Sequence, residues 1–257
     1  APLLAHVGLE VRKGEILGVA GVQGNGQTEL AEAVLGLQTP DSGTISLEGA
    51  DITRTNPRAS LDAGIGFIPE DRTTDGIIAS FSIADNLVLD QFGEAPFSKG
   101  PMLKLGVIDD NARAKQEEYD IRLTDVSDPI SSLSGGNQQK VVVAREMSKE
   151  LNLLVANQPT RGVDVGSIEF IHKRIVGVRD QGTPVLLISS ELDEVLSLAD
   201  RVVVMYRGRI MGIVPAGTPR DVLGLMMAGV PLDEAMSASE EHSDGAGEGR
   251  AMKGGTR

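Results

Sequence analysis

The 257-residue chain has no cysteine and no tryptophan, and aromatic residues make up only 3% of it. Without cysteine, disulfide staples, cysteine-ligated iron–sulfur clusters and thiolate zinc sites are excluded, which fits a reducing compartment. Positive charge is scarce too: 24 Lys and Arg stand against 37 Asp and Glu, a formal charge of −13 and a pI near 4.7. A net negative surface repels phosphate backbones, and no Lys/Arg stripe interleaved with aromatics offsets it, so nucleic acid is not expected as a partner. Any anionic ligand must be held by local geometry. No stretch approaches the roughly 18 uninterrupted apolar residues of a membrane span, and the opening APLLAHVGLEVRKGE lacks the basic-then-apolar layout of a signal peptide. If the protein works at a membrane, another chain does the spanning. The first residue is Ala1, and a strand-like segment follows almost at once, so a fragment or one half of a longer polypeptide is expected.

What is present is 40% apolar residues, enough for one large core, or one core with a smaller lobe. Residues 14–20 read as a short buried strand running into Gly21-Val22-Gln23-Gly24-Asn25-Gly26-Gln27-Thr28, after which Leu30, Val34 and Leu37 recur at helical spacing. Apolar runs of strand length follow at 65–68, 153–156, 185–188 and 202–205. The last three are separated by helical stretches at 168–179 and 192–198, the α/β alternation of a parallel sheet covered on both faces. Thr44 to Leu47 looks like a peripheral strand. Between about 75 and 150 the pattern changes: helices are expected at 83–89 and 111–119, strands are not, and the segment reads as a helical subdomain inserted into the sheet domain. From about Glu234 the chain is polar and Gly/Ser-rich, and reads as a disordered tail.

The spacing Gly21-x4-Gly26-x-Thr28 is that of a Walker A loop, whose glycines let backbone N–H groups turn inward around phosphates at a helix N-terminus. Taken alone, the glycine-rich loop fits phosphate binding and an ordinary tight turn equally well. Thr28 supplies the hydroxyl that usually meets magnesium, but Gln27 stands at the lysine position. Replacing an ammonium by an amide removes a charge-assisted hydrogen bond worth roughly 1.5–3 kcal/mol, hence about ten- to a hundredfold in affinity if nothing compensates.

Leu133-Ser134-Gly135-Gly136-Asn137-Gln138-Gln139-Lys140 opens a predicted helix at about Gln138, with Ser134 and the Gly135 and Gly136 amides at its positive end. It resembles the LSGGQ signature of ATP-binding-cassette (ABC) ATPases, and the resemblance covers nearly all of residues 1–230. Residues 153–160, ending Ala156-Asn157-Gln158-Pro159-Thr160, occupy the Walker B position, where the family usually writes Asp-Glu-Pro-Thr. Arg161-Gly162-Val163-Asp164 matches the D-loop. Residues 67–72, which include Pro69-Glu70-Asp71-Arg72, lie at the Q-loop, the joint between sheet and helical subdomain, with Glu70 where glutamine usually stands near magnesium. Ser190 stands where the switch histidine is expected. The whole set is similar to the C-terminal cassette of double-cassette importers of monosaccharides and nucleosides, with residues 156–159 and 167–172 leaning toward the nucleoside group.

The resemblance implies a P-loop NTPase: a RecA-like parallel sheet core (1–74 and 151–215) with helices on both faces, peripheral antiparallel strands, an inserted helical signature subdomain (75–150), a C-terminal helix (216–230) and a tail (231–257). It implies ATP and Mg2+ as ligands, with Gly21, Gly24, Asn25, Gly26, Gln27, Thr28, Asn157, Asp164 and the signature residues on nucleotide, and Thr28 and Glu70 on metal. Implied partners are a second cassette with complete Walker motifs, fused upstream, transmembrane permease subunits and, indirectly, an extracytoplasmic solute-binding protein, at the cytoplasmic face of the membrane. In such assemblies nucleotide lies between one cassette's Walker residues and the other's signature. The positions that would hold magnesium, polarise water and hold the γ-phosphate carry Asn157, Gln158 and Ser190. An amide at 158 cannot accept a proton, and loss of a general base costs about a hundred- to ten-thousandfold in rate. With Gln27, four departures fall on one site, so this chain's own phosphate loop is expected to be a poor catalyst while its signature serves a partner. The other reading is a silent regulatory half; a soluble cassette of translation or DNA repair is disfavoured because those keep both Walker motifs. No Phe or Tyr precedes Phe67, so the ring that normally stacks on adenine is expected to lie in a missing segment.

Three histidines, His6, His172 and His242, are expected to play no catalytic or metal-binding part, and the acidic run 240–244 is expected to be solvated. For Asp71 and Arg72 two readings stay open, pairing with a membrane subunit or a plain surface ion pair.

Overall fold

The computed structural model describes residues 3–239. In chain order these form β1 (Ile16–Ala20), α1 (Gln27–Val34), β2 (Ser46–Leu47), β3 (Ala50–Asp51), α2 (Pro57–Asp62) and β4 (Ile65–Ile68), then a π-helical turn at Arg72–Gly76. There follow α3 (Ile83–Leu87), β5 (Ser98–Lys99), β6 (Met102–Leu103), α4 (Leu105–Glu118) and α5 (Gly135–Met147). The chain closes with β7 (Leu153–Asn157), α6 (Val165–Asp180), β8 (Val185–Ser189), α7 (Leu192–Leu198), β9 (Arg201–Tyr206), β10 (Arg209–Pro215) and α8 (Arg220–Met227).

The chain divides into two compact units. Among the described residues, the first comprises 3–10, 17–30 and 188–239. In it β1 runs parallel to β9, from Leu17 opposite Arg201 to Ala20 opposite Val204, and β10 returns antiparallel along β9. Every residue of β1 is buried, so its sequence is continuously apolar rather than alternating. Val195 of α7 and Val222, Leu223 and Met226 of α8 join Val202 and Val204 in one core. β10, not among the strands expected from the sequence, follows β9 through a two-residue turn, Arg207 and Gly208, both at positive φ, as the tightest hairpins require. Beyond α8, residues 232–239 are helical and Ala235 is fully buried in the same core. The disordered tail expected from 231 therefore does not begin there: Leu232, Ala235 and Met236 fall at helical spacing within an otherwise polar composition. The remainder of that expected tail lies outside the described residues.

The second unit comprises residues 11–16 and 31–187. β4 pairs parallel with β7, Ile65 opposite Leu153 through Ile68 opposite Ala156, and α5 packs on β4, α3 and α6. Residues 75–150 lie wholly within this unit. They are not free of strands as expected: β5 and β6 form a small antiparallel hairpin about Gly100 and Pro101, each arm too short to show a period in sequence. α4 begins at Leu105, six residues before the expected Asn111. Among the described residues no helix is long and apolar enough to cross a membrane.

Candidate functional site

The phosphate-type loop belongs to the first unit. Gly26 sits at φ +107°, and a Cβ there would lie 2.8 Å from Leu4 Cδ2 and 3.1 Å from Gly208 Cα, so no other residue fits. The tip is tied to the β9–β10 turn: Asn25 Oδ1 accepts the Arg207 N–H at 2.9 Å and Asn25 O accepts the Gly208 N–H at 2.9 Å. Gln27, 7% exposed, folds back on its own loop. Its Oε1 accepts the Asn25 N–H at 3.0 Å and its Nε2 donates to Val22 O at 3.1 Å. One of the amides that such a loop would turn toward a phosphate is thus already committed. A lysine, with no acceptor, could not take it. Gly21 is buried at the end of β1, Gly24 is exposed at φ +87°, and Thr28 is exposed on the first turn of α1. In the same unit Ser189, at the end of β8, accepts the Glu191 N–H at 3.0 Å, and Ser190 is exposed.

The signature lies in the second unit at the start of α5. Ser134 is its N-cap, with Oγ accepting the Asn137 N–H at 3.4 Å and the Asn137 Nδ2–H at 3.0 Å. The two glycines after it have reasons within this chain. A Cβ on Gly135 would meet Arg72 Nη2 at 2.5 Å, and one on Gly136 would meet Ser167 Oγ at 2.5 Å and press on the Asp164 carboxylate. Asp164, expected on nucleotide, is the N-cap of α6: its carboxylate accepts the Ser167 N–H at 3.0 Å and the Ser167 hydroxyl at 2.8 Å. The Ser167 hydroxyl above all, then its amide, holds Asp164 below the usual carboxylate range.

At the joint, Asp71 caps the π-helical turn by accepting from the amides and hydroxyls of Thr73 and Thr74. These bonds, the Thr73 hydroxyl first, pull its carboxyl down to about 2. Arg72 forms no surface ion pair among the described residues: Nη1 donates to Arg161 O at 3.0 Å and Nη2 to Gly162 O at 3.5 Å. Glu70 forms an ion pair with the Arg161 guanidinium. Asn157 is buried at the end of β7, and Gln158 follows in the left-handed region at φ 50°, uncommon for a side chain of that size.

Each unit thus gathers part of the expected set. The loop residues 21–28 and Ser190 fall in the first; Glu70, Ser134, Gly135, Gly136, Asn157, Gln158 and Asp164 fall in the second, with Arg72, Arg161 and Ser167 added by the structure. Arg72 and Arg161 stand inside the quoted motifs, but nothing in one sequence says that they meet.

A family model described as ABC transporter matches residues 4–161, more than half of the chain. The chain belongs to the ABC transporter family. The cassette is 47% identical over 227 residues to the nucleoside import ATP-binding protein NupA of Lactococcus lactis subsp. cremoris, covering 88% of this chain and 45% of that one. It is 47% identical over 232 residues to the guanosine import ATP-binding protein NupO of Bacillus subtilis (90% and 46%). With the ribose import ATP-binding protein RbsA 2 of Rubrobacter xylanophilus the identity is 43% over 212 residues (81% and 40%). The chain therefore spans less than half the length of each of these relatives. Among solved structures, a nucleotide-free ATP-binding cassette from an ABC transporter superposes with a TM-score of 0.70 at 24% identity, covering 83% of this chain and 85% of that one. A dimeric cassette bound to ADP and Pi does so with a TM-score of 0.71 at 18% identity (83% and 90%). The α/β P-loop NTPase cassette fold is thus that of this chain, with its parallel strands, peripheral antiparallel pairs and helices.

The family binds ATP, typically with magnesium. The turn, the glycines and the helix N-terminus are of the kind that would receive phosphates, and with the Asn25 amide released from Gln27 the residues Gly24, Asn25, Gly26 and Thr28 would fit a triphosphate. The donor set for a divalent cation fits poorly. Asn157 and Gln158 offer neutral amides, Glu70 is engaged by Arg161, and among the described residues no group of three or more His, Asp or Glu could hold a metal.

Proposed function

We propose that the cassette is an ATP-binding domain of an importer of nucleosides or monosaccharides, working beside a separate permease at the cytoplasmic face of the membrane. Its own phosphate loop binds nucleotide weakly and turns it over poorly, and its signature completes the site of a second cassette. The observation that carries the reading is the Gln27 side chain bridging Val22 O and the Asn25 N–H, against a signature helix start whose serine cap and glycine amides are intact. The relatives named for nucleoside, guanosine and ribose import support the solute class.

In chemical terms ATP supplies a transferable phosphoryl group, and this chain contributes positioning. The exposed Ser134 and the Gly135 and Gly136 amides sit at the positive end of α5, suited to a partner's triphosphate. On its own side, Gln158 cannot take a proton from an attacking water, and the Ser190 hydroxyl lacks the ring nitrogen of a switch histidine.

The test is ATPase activity of the chain alone and mixed with a cassette whose Walker motifs are complete. Activity near background alone, and turnover in the mixture that Gly135→Asp lowers by about a hundredfold or more, is expected. Brisk turnover by the chain alone would refute the asymmetry, and no turnover in either would favour a silent regulatory half.

A further inference from the structure

Two charged side chains of the joint cross to the D-loop in opposite senses. The Glu70 carboxylate takes the Arg161 guanidinium, and the Arg72 guanidinium takes the backbone carbonyls of Arg161 and Gly162. The same guanidinium fills the space where Gly135 of the signature would carry a Cβ, 2.5 Å from Nη2. One side chain therefore touches three segments: the joint that bears it, the D-loop and the tip of the signature helix. Its base is firm, because Asp71 caps the turn on which it stands, and π-helical turns recur at functional sites.

This arrangement is a poor one for stability alone. Among the described residues no carboxylate pairs with Arg72, and its Nε is buried with no hydrogen-bond partner. A guanidinium held by two carbonyls, with its Nε–H buried and unpaired, gains from reach rather than from charge neutralisation. Its planar fork meets two adjacent carbonyl oxygens through two separate nitrogens, a geometry that a single ammonium nitrogen reproduces less well.

We propose that Arg72 is a positioning residue, a clasp that holds the D-loop and the signature tip in fixed relation to the joint, so that the three present one preformed surface to the partner cassette's nucleotide. This rests on the reading that the signature serves a partner's site. Arg72 touches no phosphate in this scheme; it acts through Gly135, Arg161 and Gly162.

The experiment has two arms. In the first, amide hydrogen exchange is measured on the purified chain and on Arg72→Ala and Arg72→Lys. Val163, Ser167 and Gln138 donate to neighbours within the two loops, and their exchange should quicken about tenfold in Arg72→Ala while β4 and β7 stay unchanged. In the second, the assembled two-cassette protein should lose about tenfold in kcat, with KM for ATP within about twofold, and Arg72→Lys should recover only part of the loss. Unaltered exchange, full rescue by lysine, or a change in KM without kcat would each overturn the clasp. A Gly135→Asp assembly that keeps full turnover would instead remove the reading beneath it, while the exchange arm would still report on the clasp itself.

Discussion

The phosphate loop and the signature both deliver the chain into a helix N-terminus, yet they spend their polar groups differently. In the first, Gln27 bonds to Val22 and Asn25 of the same loop, and Asn25 is tied to the β9–β10 turn. The loop is closed on itself by amides. In the second, the serine cap stays exposed, and Arg72, Asp164 and Ser167 crowd the two glycines so closely that neither could carry a Cβ. A loop that satisfies itself holds its shape with little need of a ligand, whereas one whose cap faces solvent keeps that end open to another molecule. The proposed asymmetry rests on this contrast, which can be strained at several points.

The largest effect is expected at the far end of the signature helix. Glu146, 5% exposed, receives Arg145 Nε at 2.8 Å, Lys149 Nζ at 2.7 Å and the Phe67 N–H at 3.1 Å, and Arg145 also donates to Gly76 O and Asn86 O. Glu146→Leu would strand a buried guanidinium and leave the Phe67 amide unpaired, at a cost of about 3–5 kcal/mol. Denaturant unfolding should register that loss. A loss below about 1 kcal/mol would mean that the signature helix is not braced from the joint, and the comparison would fail on that side.

A smaller change should open the phosphate loop. In Gln27→Lys the side chain can no longer accept from Asn25, so the amide is released and an ammonium is added. Nucleotide affinity should rise about ten- to a hundredfold, measured with a fluorescent ATP analogue. Turnover by the chain alone should stay at background, because Asn157 and Gln158 are untouched. An unchanged affinity would show that the Gln27 bonds do not limit binding.

Much of this was legible in residues 14–28, 65–68 and 192–198, where continuous apolar runs or helical spacing were long enough to declare themselves and the glycine spacing marked the loop. The signature and D-loop could be named from their letters. What could not be read was contact at long range. The β5–β6 hairpin has arms of two residues, the helix at 232–239 hides in polar composition, and β10 follows β9 with only an Arg-Gly turn between them. In the site, Gly135 and Gly136 read as ligand-facing glycines, but their neighbours Arg72 and Ser167 lie far off in sequence. The bonds that Gln27 makes to its own loop were equally out of reach, since the sequence showed only that a lysine was replaced.

The finest distinction between the two loops is their response to acid. Asp164 is a titratable group beside Gly136 of the signature, and its bonds to Ser167 depress its carboxyl below the ordinary value. A group whose folded value lies below its unfolded one, about 3.9 for aspartate, contributes stability that is fully present above the unfolded value. That contribution fades as pH falls through the folded one. The Ser167 amide resonance should therefore hold steady from pH 7 to about 5 and shift only at a midpoint below the usual carboxylate value. In Asp164→Asn the cap survives, because asparagine also accepts from the helix, and the acid shift should vanish. The phosphate loop offers the internal control: its bonds join amides that do not titrate, so the Asn25 amide should show no midpoint over the same range while the fold persists. An acid shift at Asn25 matching that of Ser167 would show that the two loops respond as one, and the distinction drawn between them would be lost.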